Sequence, residues 1–340
     1  HTGGRGFKSR QPRSQLEGWM PRPRPLDARG RSFRGSLVMT TGHVPVLLDE
    51  VTRLARGVER AVDATVGAGG HAGALLDAGV MLLAIDRDPE ALATARARLA
   101  GARVEFLRGS FAEGPILDAI MRFAPQLVLL DLGVSSLQLD SPQRGFSFRP
   151  GTPLDMRMTR EGPTAADLLN DLPAQQLARM FEAFGDERHA KRLARAVVRR
   201  RSKVPFSTSD DLVDAIREVL GTRAGPAQFA RLFQAVRIAV NRELDELRCA
   251  LPRLRDALQP GGRLVVISYH SGEDRIVKRE FRDWARSCVC PSGQPLCTCR
   301  GLPLGAVDPR RPVVPTAAEI AANPRARSAK LRGFVKSAAR

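Results

Sequence analysis

Short apolar runs alternate with stretches of helical periodicity from about residue 60 to residue 131. The apolar runs are strand-sized and are bounded by glycine, proline or charged residues. The strands that this pattern predicts are 60–65, 80–86, 103–107 and 126–131, and the helices between them include 71–78 and 89–99. Strands that alternate with helices imply crossover connections, so this region predicts an α/β fold with a mostly parallel sheet.

The alternation stops after residue 131. A loop rich in glycine, proline, phenylalanine and arginine covers 141–163. The helices predicted after this loop are 164–169, 173–184, 187–201, 208–220 and 227–251. The α/β pattern then returns with a strand at 263–268, a helix at 274–285 and a last, antiparallel strand at 330–336.

These patterns divide the chain into an α/β domain with an insertion. We predict that residues 39–143 and 241–340 form the first and second parts of this domain. We predict that residues 144–240 form an inserted helical domain that recognises the substrate. Residues 1–38 show no apolar period and are expected to be a disordered basic extension. Three explanations of this extension remain open, of which we favour the first: sequence upstream of a start at Met39, an RNA-binding arm, or a transit peptide.

Charge and composition restrict the kind of protein. The 340 residues carry a net charge of +18, of which residues 1–38 hold seven with nine basic and two acidic residues. The remaining +11 predicts an anionic partner for the folded part as well. Charge alone leaves nucleic acid and an acidic membrane face open as that partner. No apolar run approaches the ~18 residues of a membrane span, and we expect no membrane partner. Five cysteines in so long a chain do not form a secreted disulfide framework, and we predict a reducing, cytoplasmic location.

A glycine loop opens the first helix of the α/β pattern. Its sequence, Gly-Ala-Gly-Gly-His-Ala over residues 67–72, follows a strand, and Asp86 ends the next strand. Glycines here allow a nucleotide-type cofactor to approach the backbone, and a carboxylate can accept hydrogen bonds from a ribose. The spelling also fits the fingerprint of an NAD-dependent oxidoreductase. However, Asp63 and Asp131 add negative charge that suits a cationic cofactor better, which favours S-adenosylmethionine.

Several ordered motifs resemble those of the MraW/RsmH family. The matching segments are 42–51, 63–71, 84–89, 129–136, 144–148, 153–158, 233–241, 273–279 and 323–328. The chain departs from the usual family pattern at Tyr269, where phenylalanine is usual, at Gly272, where leucine is usual, and at Leu137, where proline is common. These departures concern the local shape of loops, whereas the similarity runs from about residue 42 to the C-terminus.

This resemblance implies a Rossmann-like class I methyltransferase. It implies S-adenosylmethionine-dependent methylation of the N4 amino group of a cytidine in 16S ribosomal RNA of the small subunit, near the decoding centre. The residues that it places around the cofactor are Gly69, Gly70, His71, Asp86, Phe111, Asp131 and Gln138. Asp131 is also the candidate catalytic residue, because a carboxylate that accepts a hydrogen bond from the amine raises electron density on nitrogen.

Two basic regions are candidate RNA contacts. The loop at 144–157 interleaves aromatic rings, which can stack an unpaired base, with arginines, which can bind phosphate. The residues expected to contact RNA are Arg144, Phe146, Phe148, Arg149 and Arg157. For Phe148, a place in the apolar core is an equal alternative. A second basic face, over 191–203, predicts contact with phosphates, although such runs are often only solvated surface.

Other classes of function remain open from the residues alone. They include an oxidoreductase and a non-catalytic RNA-binding assembly factor. A DNA amino-methyltransferase is disfavoured because Leu-Gly-Val follows Asp131 where such enzymes carry Pro-Pro-aromatic. His270 is expected to have a structural role, since no nucleophile elbow precedes it. No catalytic metal is assigned, but Cys288, Cys290, Cys297 and Cys299 either bind zinc or remain reduced thiols. A homodimer is one of the possible oligomeric states.

Overall fold

The computed structural model describes residues 45–291, 293–294, 296 and 298–338. The predicted extension at 1–38, His43 and Cys297 lie outside these residues. The strands are β1 (Arg60–Asp63), β2 (Met81–Asp86), β3 (Val104–Arg108), β4 (Leu127–Asp131), β5 (Arg263–Ser268), β6 (Gly305–Val307) and β7 (Lys330–Lys336). The helices of the α/β part are α1 (Leu48–Leu54), α2 (Gly70–Asp77), α3 (Pro89–Arg98), α4 (Gly114–Phe123) and α5 (Ser136–Asp140) before the insertion.

The remaining helices follow β4 in the chain. Those of the insertion are α6 (Ala165–Asp171), α7 (Ala174–Gly185), α8 (Ala190–Arg201), α9 (Ser209–Leu220) and α10 (Pro226–Asn241). Those that return to the sheet are α11 (Glu243–Ala257), α12 (Ser271–Trp284) and α13 (Ala317–Ala322). None of the helices in the described part of the chain combines the length and the apolar character that a membrane span requires.

One sheet of seven strands forms the centre of the α/β part, in the order β3-β2-β1-β4-β5-β7-β6. Strands β1 to β5 pair in parallel, and β7 runs antiparallel between β5 and β6. The mostly parallel sheet and the antiparallel strand at 330–336 are therefore confirmed. Because the chain builds outward from β1 first on one side and then on the other, the order reverses between β1 and β4. This is the place where open α/β sheets bind ligands.

The alternation of side chains along each strand divides the core between the two faces of the sheet. In β4, Val128 and Leu130 belong to the apolar cluster on the face covered by α4, α11 and α12. Leu127 and Leu129 belong to the cluster on the opposite face, with residues of α1, α2 and α3. All four are fully buried, as expected for a strand covered on both faces.

The insertion has an apolar cluster of its own, formed mainly by α6 to α10. Arg242, with φ 51°, separates α10 from α11, so the single helix expected over 227–251 is wrong. The Asn241 side chain donates to the carbonyl oxygen of Met156 at 2.8 Å and accepts from the Met158 N–H at 2.9 Å. These bonds tie the end of α10 to the loop that enters the insertion. The boundaries at residues 144 and 240 remain a prediction.

Candidate active site

Three carboxylates lie at the carboxyl edge of the sheet where the strand order reverses. Asp63, Asp86 and Asp131 are the last residues of β1, β2 and β4, which are neighbours in the sheet. A buried apolar run followed by an acidic residue produces each of them, and parallel pairing brings the three strand ends to one edge. The structure therefore brings together the acidic residues that the sequence singled out separately.

The glycine loop between β1 and α2 covers this edge. Gly67 N–H donates to Oδ2 of Asp86 at 2.8 Å, and Gly69 adopts φ 80°, which favours glycine, as the residue before α2. At Gly70 an added Cβ would lie 2.5 Å from Cγ of Pro45. The loop can therefore lie close to its neighbours only because these positions lack side chains.

His71 joins the first turn of α2 to the end of β4. Its buried ring places Nε2 2.9 Å from the carbonyl oxygen of Val46, which requires a proton on that nitrogen. The other nitrogen, Nδ1, lies 3.6 Å from Oδ2 of Asp131. The carbonyl of Val46 thus fixes the ring so that it faces the carboxylate.

Asp131 is held from two further sides. Its backbone N–H donates to Oγ1 of Thr65 at 2.7 Å, and the Tyr269 hydroxyl donates to its Oδ1 at 2.8 Å. Burial raises the pKa of Asp131, against the opposing effects of His71 and of the Tyr269 hydrogen bond. The side chain keeps 25% of its surface exposed, so it remains accessible to a ligand. Sequence reasoning missed Thr65 and the contact of Tyr269, although Tyr269 directly follows a central strand.

Asp63 and Asp86 are buried carboxylates whose ionised forms are disfavoured by their surroundings. The pKa of Asp63 is raised to about 7, chiefly by burial and with smaller contributions from the nearby Asp131 and Asp86, against the lowering effects of His71 and a backbone hydrogen bond. Burial likewise raises the pKa of Asp86 to about 6, although two backbone N–H groups donate to it. A cationic ligand would stabilise the ionised form of these groups. The donor set therefore fits the sulfonium and ammonium groups of S-adenosylmethionine.

Gln138 and Phe111 occupy different surroundings. Gln138 is buried, its Nε2 donates to Oδ2 of Asp88 at 2.7 Å, and its Oε1 accepts from the Ser135 N–H at 3.0 Å. Both ends of its amide are thus bonded within the protein. Phe111 is half-buried and packs against the apolar cluster on the α4 face of the sheet. Its contact with an adenine remains a prediction.

Two of the three arginines expected to contact RNA are held by protein groups instead. The guanidinium of Arg144 is 2% exposed and lies 2.9 Å from both Asp88 Oδ2 and Glu90 Oε2. Arg157 forms a two-point ion pair with Asp155, at 2.9 and 2.8 Å. The burial of Arg144 in ion pairs argues against the phosphate contact expected of it, whereas Arg157 is ion-paired but accessible, and its contact with RNA stays a prediction.

The remaining residues of that loop are more accessible. Arg149 is exposed, and Phe146 is half-buried with the Arg144 guanidinium 5.8 Å from its ring centre. Phe148 is half-buried and meets Phe229 and Phe233 edge to face, each with ring centres 6.0 Å apart. Phe148 thus packs against the core of the insertion, which was one of the two alternatives for it.

The basic face of α8 is only partly exposed as free charge. Arg199 and Arg200 pair with Glu218 and Asp214 on α9 at 2.6 and 2.9 Å. Arg201 donates to two carbonyl oxygens at the end of α6. The exposed basic residues over 191–203 for which the described residues offer no ion pair are Lys191, Arg192, Arg195 and Lys203.

His270 has a structural role at the start of α12. Its Nδ1 accepts from the N–H groups of Gly272 and Glu273, at 3.2 and 3.4 Å, so it caps the helix. Its Nε2 lies 3.2 Å from Oε1 of the buried Glu273. The carboxylate of Glu243 lies within 4.8 Å of His270 and Glu273, and it forms an ion pair with Arg237 at 2.9 Å. Both acidic residues at this helix start therefore have a basic partner.

The reversed strand order, the glycine turn and the acidic edge together define a Rossmann-like class I methyltransferase that uses S-adenosylmethionine. Comparison with known proteins gives the particular family. The MraW methylase family matches residues 40–337, and the chain belongs to it. This assignment excludes the oxidoreductase alternative.

Relatives of similar length agree with this assignment. A Ribosomal RNA small subunit methyltransferase H from Gemmatimonas aurantiaca is 52% identical over 301 residues, which cover 86% of this chain and 95% of that protein. Proteins with the same name from Syntrophotalea carbinolica and Heliobacterium modesticaldum are 46% and 44% identical. They cover 86% and 88% of this chain, and 97% and 99% of their own lengths.

Proposed function

We propose that this chain methylates the N4 amino group of a cytidine in the RNA of the small ribosomal subunit, in the cytoplasm. The observation that carries the proposal is Asp131, an accessible carboxylate at the end of β4 that is oriented by Thr65, His71 and Tyr269. The names of the relatives supply the substrate class, and the acidic edge supports the cationic cofactor.

The residues around the edge divide the work of binding. We assign Gly69, Gly70 and His71 to the cofactor because they form the turn nearest to the acidic strand ends, and Asp86 to its ribose. When bound, S-adenosylmethionine supplies an electrophilic methyl group on a sulfonium. Gln138 is assigned a positioning role, because both ends of its amide are already bonded to the protein.

Asp131 contributes to the transfer by accepting a hydrogen bond from the cytosine amine. S-adenosylmethionine held by the glycine turn and the acidic edge would supply the methyl group, while Asp131 would orient the amine, which would release one proton to solvent. A carboxylate acceptor raises electron density on the amine as this bond forms. Since the Tyr269 hydroxyl holds the carboxylate in place, little reorganisation is needed.

The RNA surface is assigned to residues that remain accessible. Arg149 is exposed at the tip of the entry loop, and Lys191, Arg192 and Arg195 form the exposed part of α8. We assign these to phosphates and the half-buried Phe146 to a stacked base. Affinity for RNA should then fall as salt rises. Alanine in place of both Phe146 and Phe148 should weaken RNA binding more than cofactor binding, and the opposite order would contradict the assignment.

The direct test is methyl transfer to small subunits that lack the modification. The purified chain is incubated with labelled S-adenosylmethionine, and the methylated cytidine is located by mass spectrometry of RNA fragments. The Asp131→Ala variant should lose about 100-fold or more in rate. Asp118→Ala, which changes an exposed carboxylate on α4, is the matched control and should retain the wild-type rate.

Two results would reject the proposal. The first is methylation at a position other than cytidine N4, which would refute the substrate assignment. The second is a wild-type rate in the Asp131 variant, which would refute the role of this carboxylate. Cofactor affinity measured by calorimetry separates loss of binding from loss of transfer.

A further inference from the structure

The segment between α12 and β6 is a loop whose two ends are hydrogen-bonded to each other. Arg300 donates to the carbonyl oxygens of Asp283, Trp284 and Arg286 at the end of α12. The Leu304 N–H donates to the Trp284 carbonyl oxygen at 2.9 Å. The returning chain is therefore fixed to the helix end from which it left, and neither hydrogen-bonded strand nor helix is assigned over its described residues.

Three cysteine sulfurs lie close together in this loop. The Sγ atoms of Cys288, Cys290 and Cys299 all lie within 4.8 Å of one another. The Val289 N–H donates to Sγ of Cys299 at 3.3 Å, so a backbone donor is directed at one of the sulfurs. Cys297, the other cysteine of this part of the sequence, lies outside the described residues.

The spacing of the sulfurs suits one tetrahedral ion. Zinc–sulfur bonds of about 2.3 Å in a tetrahedron place the sulfurs about 3.8 Å apart. The observed cluster needs only a small contraction to reach that spacing. Thiolate ligands select zinc, copper(I) or iron, and exclude calcium and magnesium, which prefer oxygen. Zinc is favoured because cysteine thiolates that lie near one another in the chain are its common structural ligands; the three sulfurs would leave its fourth position to another ligand.

We propose that Cys288, Cys290 and Cys299 bind one structural zinc ion that fastens the segment between α12 and β6. Binding converts the thiols to thiolates and releases their protons to solvent. The three cysteines lie outside the apolar clusters of the sheet and of the insertion. The ion would therefore stabilise this loop and not the apolar cores. The proposal is independent of the substrate, because it can be tested without RNA.

The experiment measures metal content by mass spectrometry on protein purified without chelators and then loaded with zinc alone. The wild-type chain should retain about one zinc ion after desalting. The variant with both Cys288→Ser and Cys290→Ser should retain roughly a tenth of that or less, because it keeps only one of the three clustered sulfurs. Cys249→Ser is the matched control, since Cys249 is an exposed cysteine on α11 outside the cluster, and it should retain zinc like the wild type.

A thiol-reactive chromophore provides a second readout. Zinc should slow the reaction of the clustered cysteines until a chelator is added, whereas Cys249 reacts at once. A wild-type chain that holds no zinc after loading would overturn the proposal, as would equal zinc loss in the Cys249 control. A stoichiometric, coloured iron species in place of zinc would overturn the choice of metal. Circular dichroism of the double variant confirms that the fold is retained.

Discussion

Tyr269 gives a sharp test of how the acidic edge works. Its hydroxyl donates to Oδ1 of Asp131 at 2.8 Å, and the chain contains no other tyrosine. Replacing it with phenylalanine, the residue usual in the family pattern, removes this donor and keeps the ring. Since the bond stabilises the ionised form of Asp131, its loss should raise the pKa of that carboxyl further above its ordinary value.

The size of the shift follows from the geometry. A hydrogen bond to a charged group contributes about 1.5–3 kcal/mol, and this one has an ordinary length of 2.8 Å. Asp131 keeps a quarter of its side chain exposed, so water can partly replace the lost donor and the lower value applies. Because one pKa unit corresponds to about 1.4 kcal/mol, the Tyr269→Phe variant should raise the pKa of Asp131 by about one unit.

The assay is the pH dependence of single-turnover methyl transfer at saturating cofactor. On the proposed role of Asp131, transfer depends on its ionised carboxylate, so the acidic limb of the profile should move upward by about one pH unit, while the rate on the alkaline plateau stays close to wild type. An unchanged midpoint, or a uniform fall in rate at every pH, would refute the reasoning and leave Tyr269 a packing role only. Asp131→Asn provides the reciprocal control, because it should lower the raised pKa of the Tyr269 phenol, which is read directly in the ultraviolet spectrum.

Three further predictions concern stability. The pKa of Asp63 is about 7 in the folded state against an ordinary value of 3.8, so about 4 kcal/mol of the free energy of unfolding is lost as pH rises from 4 to above 7. The Asp63→Asn variant cannot ionise here. In urea it should therefore be more stable than wild type at pH 8, by up to that amount, and equally stable at pH 4. Arg144→Ala leaves its buried acidic partner unpaired and should cost about 3 kcal/mol or more in the same assay. Gly70→Ala overpacks its site and should cost about 1–3 kcal/mol, whereas Gly114→Ala, also at a first helical residue but in open space, should not destabilise the chain.

The sequence predicts the acidic edge well because each part of it is a local pattern. A buried apolar run ending in aspartate is visible without the fold, and parallel pairing then brings Asp63, Asp86 and Asp131 together. The supporting contacts are not local. Tyr269 and Asp131 are 138 residues apart, and the sequence at either position contains no sign of the other. The same holds for the buried pair of Arg144 and Asp88.

The boundary between α10 and α11 likewise could not be predicted from the local sequence. The apolar period continues through residue 242, so periodicity alone predicts one helix where the structure has α10 and α11. The break at Arg242 accompanies Asn241, whose side chain bonds the backbone of the entry loop more than 80 residues earlier. Pro252 lies inside α11 rather than ending it, although proline usually interrupts a helix. At the end of α10, tertiary contacts thus override the local signal.

The ion pair of Arg144 connects the two parts of the protein. Arg144 binds Asp88, and the backbone N–H of Asp88 donates to Oδ1 of Asp86 at 2.8 Å. Gln138 donates to the same Asp88 carboxylate. The entry loop of the insertion is therefore hydrogen-bonded to the strand end assigned to the cofactor ribose. Arg144 thus fixes the position of the entry loop relative to this strand end, and the proposed methyl transfer depends on such fixed positioning of the reacting groups.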